Sequence, residues 1–536
     1  MELESASLLL QRRRWLALAA ASAAGGVFPS KAWSQPRWRS DPFALGVASG
    51  NPAADSVVLW TRIAPQALPA DAGNGVVVQW ELADDAAFSR IRQRGNTQAL
   101  AELGWSVHVE PAGLEPNRHY FYRFHAAGAT STVGRTRTLP ASTQLQPLTL
   151  AYASCQKWED GYFTAWRHLR QDAPDVVLFL GDYIYEYPGT SSKLRTPGGG
   201  WVLTLQQYRA RYALYKTDPD LQAMHAACPW VLTWDDHEVQ NDYAGVNPGD
   251  GVPPGGWDAL GFLGRRAAAY QAYYENMPLR ASVLTKAVAG LAQGAEMRIY
   301  GRLDWGRLAS LYLLDTRQYK DAQACTKDGK LGSGLVSPGR CPAWADPQRS
   351  MLGLAQEQWL QAQWAQAASR GSVWNVLCQS TLLGQRDFAA EGSGQRLWND
   401  GWDGYAAARS RLTQALQTHR VANPVVLGGD VHENWVGHVL ADYARPDSAV
   451  VGVEFCGTSI TSHAGREDRT AQQLERNPHF VFADSRHRGY GLARFDERQL
   501  SVQLRVLDDV TRQDASISTL AGFRVLAGVP RVERTG

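Results

Sequence analysis

The sequence predicts an α/β chain, layered in the α+β manner. An N-terminal immunoglobulin/fibronectin-like β-sandwich precedes a larger domain of two mixed β-sheets flanked by helices. Three observations carry this. Residues 40–140 hold strand-like runs separated by turn residues. From about residue 146, strand-like and helical runs alternate. Four of the later strand-like runs end in polar clusters, the usual place for an α/β active site.

Taken in order, residues 1–34 stand apart. Arg12, Arg13 and Arg14 precede a weakly apolar run over 15–27 that is too short and Ala/Gly-rich for a stable membrane span. Ala32 and Ser34 place small residues before a cleavage point at Gln35. The pattern reads as a signal peptide with paired arginines, hence the twin-arginine export machinery as a partner. The blander reading is an untidy basic N-terminus. With no other stretch able to span a membrane, the expected product is periplasmic or secreted, with no transmembrane anchor after cleavage.

The sandwich reading over 40–140 rests on VVLWTRI (57–63), VVVQWEL (76–82) and HYFYRFH (119–125). Leu114, Glu115 and Pro116 lead into Tyr120 like a tyrosine corner. No chemistry is apparent there. The second domain spans 146–510. Strands are expected over 148–155, 176–181, 229–238, 373–380 and 423–434, those over 229–238 and 423–434 ending in charge, and an antiparallel pair within 298–317. Helices are expected over 164–171, 205–216, 262–275, 356–369 and 406–417, with a Gly/Pro loop over 244–257. Residues 511–536 read as a tail, with 517–528 either a helix over the site mouth or a surface closure.

The 536 residues can bury a large core, and 54 Lys+Arg nearly cancel 52 Asp+Glu. That balance gives no nucleic-acid-binding signature and no anionic-membrane signature. Six cysteines are present, and export permits disulfides. Cys325 and Cys341 flank a Lys/Gly/Ser-rich loop and form the natural pair. Cys228, Cys378 and Cys456 lie in apolar surroundings and read as buried thiols.

The chemistry centres on 176–186, VVLFLGDYIYE. Gly181 lets the strand turn, Asp182 follows at its carboxyl end, and Tyr185 can curl back beside it. A carboxylate can bridge two cations, and a phenolate is a hard donor suited to ferric iron. The other strand-end clusters are Ser154–Gln156 with Cys155; Asp235, Asp236 and His237 with Asn241 and Asp242; and Asp430 with His432. Each alone reads equally as a helix cap or surface pair. Four in the same strand-end register point to a metal site.

The motifs SCQ, GDYIYE, WDDHEVQND, LLDTRQY and GGDVHEN, in that order, resemble the PhoD-like alkaline phosphatases. These are a branch of the calcineurin-like metallophosphoesterases related to purple acid phosphatases. The resemblance covers nearly the whole chain, beginning with FALGVASGNPAADSVVLWTRIAP (43–65). It implies a metallophosphoesterase domain acting on phosphate esters, with Fe3+ and one or two Ca2+. By this analogy Asp182 bridges, Tyr185, His432 and Cys155 complete the iron site, and Cys155 is a thiolate. Asp235, Asp236, Asn241 or Asp242, and Asp430 offer hard oxygens to calcium. His237 corresponds to the catalytic histidine, and Asp182 counts as catalytic as well as a ligand. Arg265 and Arg266 are candidate phosphate contacts, though a solvated helix face explains them equally. Alternatives are phosphodiesterase or phospholipase D-like activity at the same site, or a non-catalytic iron-binding exported protein.

Overall fold

The computed structural model describes residues 37–536 except 70–71, 190–193, 251–258, 286–296, 327–330, 390–391, 393, 446 and 465–466. The export segment over 1–34 lies outside the described residues, as does part of the 244–257 loop.

The strand Val176–Leu180 is buried at every position because it is covered on both faces. Its side chains alternate with the period of two that a strand imposes. Val177 and Phe179 join a core with Trp166, Leu169, Tyr212 and Tyr273 from helices. Those helices are Thr164–Asp172, Leu205–Tyr215 and Ala259–Asn276. Val176, Leu178 and Leu180 face a second core shared with Leu311, Val376, Val425 and Leu427 of another sheet. The domain is therefore four layers: helices, sheet, sheet, helices.

In the first sheet, Leu148–Ala153, Val176–Leu180 and Trp230–Thr233 run parallel. In the second, Ala309–Leu313, Trp374–Cys378, Pro424–Gly428 and Val450–Cys456 run parallel, with antiparallel strands at either side. Helices Leu354–Ala365 and Ala406–Thr418 cover its outer face through Leu360, Trp364, Leu412 and Leu416.

The N-terminal segment folds as two facing sheets around Val57, Leu59, Val78, Leu82, Tyr122 and Phe124. Tyr120 Oη accepts the Glu115 N–H at 2.9 Å, fixing the corner. One of these sheets does not stop at the sandwich. Val47–Gly50 pairs in parallel with Trp230–Thr233, so three sandwich strands extend the first sheet to ten. The junction depends on Gly50: a Cβ there would lie 2.7 Å from the Trp230 and Pro278 carbonyl oxygens.

The carboxyl terminus corrects an expectation. Ile517–Leu526 is a strand paired antiparallel with Gln499–Leu507, not a helix near the site. Ala521, Phe523 and Val525 point into the core between the sheets, while Arg524 and Leu526 are exposed. That period of two, with β-branched residues, outweighs the helical reading. Cys325 and Cys341 are joined in a disulfide, and Cys155, Cys228, Cys378 and Cys456 are buried free thiols.

Candidate metal centre

The site forms where strand ends from both sheets meet. Gly181 has φ +103°, and a Cβ there would sit 2.5 Å from the backbone N of Asp235. Only glycine lets these two strand ends approach so closely. Just beyond the strands, Cys155, Asp182, Asp242, Asp430 and His432 all hold left-handed backbone, with φ between +56° and +66°. Five non-glycine residues in that region, gathered at one place, mark strain concentrated at a site. Glu238 helps to hold it. Its buried carboxylate accepts the N–H groups of Asp182 at 3.1 Å, Tyr183 at 2.6 Å and Asp235 at 2.8 Å.

Among the described residues, three groups of ligand-type atoms result, each lying within 4.8 Å. The first is Cys155, Asp182 and His432; the second Asp182, Asp236 and His237; the third Asp236, Asp242 and Asp400. Asp182 is common to the first two. Tyr185 completes the first: its Oη donates to Asp182 Oδ2 at 3.0 Å, and lies 3.2 Å from His432 Nε2 and 2.7 Å from Ser462 Oγ. The other acidic residues have partial partners. Asp235 Oδ1 accepts from Arg317 Nε and from Ser380 Oγ at 2.8 Å. Asp430 Oδ2 accepts from Thr381 Oγ1 at 2.6 Å. Asn241 donates its backbone N–H to Glu186 and its amide to Asp250.

The donor set fits bound cations. Asp182 Oδ1, Asp235 Oδ2 and Asp236 Oδ1 are buried without a hydrogen-bond partner, which a carboxylate does not tolerate without compensation. Burial, with Asp236 and Asp235 adding to it, raises the Asp182 carboxyl well above its usual range, although His237 opposes the rise. Burial also brings Asp235 to about 7 against the pull of Arg317. Burial and then Asp182 push the Cys155 thiol and the Tyr185 phenol well up. Without positive charge these groups cannot ionise together; hard cations would reverse that. His432 is held neutral, its pKa lowered to about 4 mainly by burial, as a nitrogen ligand requires.

His237 is different. Its Nδ1 is 2.7 Å from Glu186 Oε2, and its ring lies 4.2 Å from that of Tyr185. Burial lowers its pKa, but Asp182, Glu186 and Asp236 together outweigh burial and raise it well above the usual value.

Arg265 and Arg266 correct another expectation. They neither line the site nor face solvent; both are buried. Arg265 Nε donates to the Val202 carbonyl at 3.0 Å and to Tyr208 Oη at 2.9 Å, and its Nη1 to Gln240. Arg266 Nη1 donates to the Gly245 carbonyl. They pin the chain around 240–245 onto the helix. Arg265→Met is accordingly expected to lower stability by about 2–4 kcal/mol through unpaired buried acceptors. KM of the folded fraction should not change. A raised KM at unchanged melting temperature would return Arg265 to the substrate.

Sequence reasoning missed Glu186, Glu238, Asp400 and Arg317. Glu186 and Glu238 had a signal, since they lie in the same charged runs as Asp182 and His237. Arg317 lies in the LLDTRQY motif and pairs with Asp235 and Asp400, while Lys320 also holds Asp400.

A two-sheet α/β scaffold that gathers carboxylates, a thiol, a phenol and imidazoles at its strand ends is that of a metallophosphatase. Family models place the chain more narrowly. The PhoD-like phosphatase model matches residues 150–504, and the model of the PhoD-like phosphatase N-terminal domain matches 29–140. The chain is 42% identical over 502 residues to alkaline phosphatase D of Bacillus subtilis (strain 168), covering 91% of this chain and 81% of that protein. A solved structure of PhoD is 40% identical with a TM-score of 0.83, covering 95% of this chain and 94% of that one. A purple acid phosphatase from yellow lupin seeds is 12% identical with a TM-score of 0.49, over 92% of this chain and 74% of that one. The chain belongs to the PhoD-like phosphatase family and is a phosphatase. Among the described residues, no helix is long and apolar enough to cross a membrane.

Proposed function

We infer that this chain is exported by the twin-arginine route and hydrolyses phosphate esters as an alkaline phosphatase holding Fe3+ and one or two Ca2+. The observation that carries the reading is Asp182, which belongs to two ligand groups at once and has a buried oxygen without a partner. Cys155, Tyr185 and His432 give Asp182 a thiol, a phenol and an imidazole on one side, a set suited to ferric iron. Asp236 and His237 lie on the other, and beyond Asp236 the residues Asp242 and Asp400 offer only oxygens, with Asp235, Asn241 and Asp430 around them, a set suited to calcium. When bound, such cations neutralise phosphoryl oxygens and lower the pKa of a water to give a nucleophile at mild pH. The protein contributes fixed negative charge, a dry setting and His237, whose imidazole can donate a proton to the leaving oxygen. An iron store or redox centre would have no use for the acidic half.

Elemental analysis of the exported protein is expected to find iron and calcium, and calcium chelation to abolish activity reversibly. Full activity after exhaustive calcium removal would sink the calcium assignment. Tyr185→Phe is expected to erase a visible phenolate-to-iron absorption band. A band left unchanged would mean that another residue is the phenolate.

A further inference from the structure

Tyr187 stands at the edge of the centre. Its ring centroid is 5.2 Å from that of His237 and 5.8 Å from that of Tyr185. Over the same ring lies the ammonium of Lys157, 4.8 Å from the Tyr187 centroid and 5.7 Å from that of Tyr185. Lys157 comes two residues after Cys155, and its backbone is anchored. The Thr461 hydroxyl donates to its carbonyl at 2.7 Å, and the Asp160 N–H does so at 3.3 Å.

The ammonium is poorly satisfied. Its nearest carboxylate, Asp160 Oδ2, is 3.8 Å away, beyond hydrogen-bond distance, and accepts the His463 N–H at 3.3 Å. Among the described residues the Lys157 ammonium makes no hydrogen bond. The other cations near the centre spend donors on the protein. Arg317 and Lys320 bind Asp235 and Asp400, while Arg488 and Arg211 bind backbone carbonyls. Lys157 is also reachable, its side chain being 16% exposed. It is a point charge with free donors, one aromatic ring away from a candidate metal ligand.

We propose that Lys157 binds the second negative charge of a phosphate monoester dianion and sets the preference of the site for monoesters over diesters. This rests on the phosphoesterase reading of the centre. A monoester phosphoryl group carries three non-bridging oxygens and, at alkaline pH, two charges. A diester carries one charge, and its third oxygen is alkylated. Free N–H donors of an ammonium beside the centre favour the first and gain little from the second.

The test compares full-length, metal-loaded wild type, Lys157→Met and Lys157→Arg on 4-nitrophenyl phosphate and bis(4-nitrophenyl) phosphate. Lys157→Met is expected to lower kcat/KM for the monoester by about tenfold, mostly through KM, the worth of one charge-assisted hydrogen bond. The inhibition constant of inorganic phosphate should rise by a similar factor. Diester hydrolysis should stay within about twofold, and Lys157→Arg should restore most of the monoester loss, since it keeps the charge. Equal losses on both esters, or no loss on either, overturn the proposal. A loaded wild type that hydrolyses neither ester removes the phosphoesterase reading and this inference with it. Active wild type with an indistinguishable Lys157→Met removes the inference alone.

Discussion

Asp182→Asn is expected to reduce kcat by about a thousandfold or more, the scale seen when a principal electrostatic element is lost. Iron and calcium content should fall with it. The substitution keeps volume and shape, so the left-handed turn at 182 and the Glu238 contact to its N–H can persist. It removes the charge shared by the two ligand groups. It also forces an amide nitrogen into one of two positions. In one it faces the unpartnered Oδ1 point, where a cation would sit; in the other it takes away the acceptor of the Tyr185 hydroxyl. The metal-free variant should be at least as stable as metal-free wild type, because one member of a crowded, buried carboxyl group is gone. That opposite sign separates a metal bridge from a structural residue. Wild-type turnover in Asp182→Asn would show that the residue only shapes the turn.

The elements that place Asp182 were legible because their signal is local. An unbroken apolar run rich in branched residues, such as Val176–Leu180, suits a strand covered on both faces, and Gly181 marks its end. The same argument singles out Cys155, Asp236, Asp430 and His432, since each follows a buried strand by a few residues; of these, Cys155, Asp236 and His432 fall among the grouped ligand atoms. What failed was non-local. The union of the sandwich with the first sheet turns on the parallel contact between Gly50 and Trp230, 180 positions apart, which no local pattern announces. Residues 517–528 read as either a helix or a surface closure, and the antiparallel pairing of Ile517–Leu526 with Gln499–Leu507 decides the matter.

The candidate site shows the same division. Asp400 follows the two-residue strand Leu397–Trp398 in a loop of its own, so it lacks the buried run that flags the other acidic residues. Only the fold brings it beside Asp236 and Asp242. Arg265 and Arg266 look like a solvated pair on a helix, because a sequence does not say that the chain at 240–245 will fold over them. Asp235 and Asp236 are adjacent, and nothing in that adjacency separates them. Arg317 binds Oδ1 of Asp235 directly and reaches Asp236 Oδ2 only at 3.6 Å, and of the two only Asp236 stands among the grouped ligand atoms.

The second large effect concerns His237, whose imidazole is held by the Glu186 carboxylate. His237→Ala is expected to retain most iron and calcium while lowering kcat for alkyl phosphates by about 10²–10⁴-fold, the range of general acid catalysis. Its ring is close enough to Asp182 and Asp236 to ligate, so proximity alone does not assign the role. Two considerations favour the proton donor. The neighbouring carboxylates supply oxygens that a calcium ion prefers to nitrogen. Glu186 at Nδ1 fixes the ring, and in the metal-free chain Asp182 and then Glu186 favour the protonated form, which is the state a proton donor needs. The loss should then shrink for nitrophenyl esters, whose leaving group needs little protonation. Measuring metal content beside a leaving-group series decides between the roles. A metal-free His237→Ala protein would make His237 a ligand. A loaded variant that cleaves alkyl phosphates at the wild-type rate would leave it neither ligand nor acid.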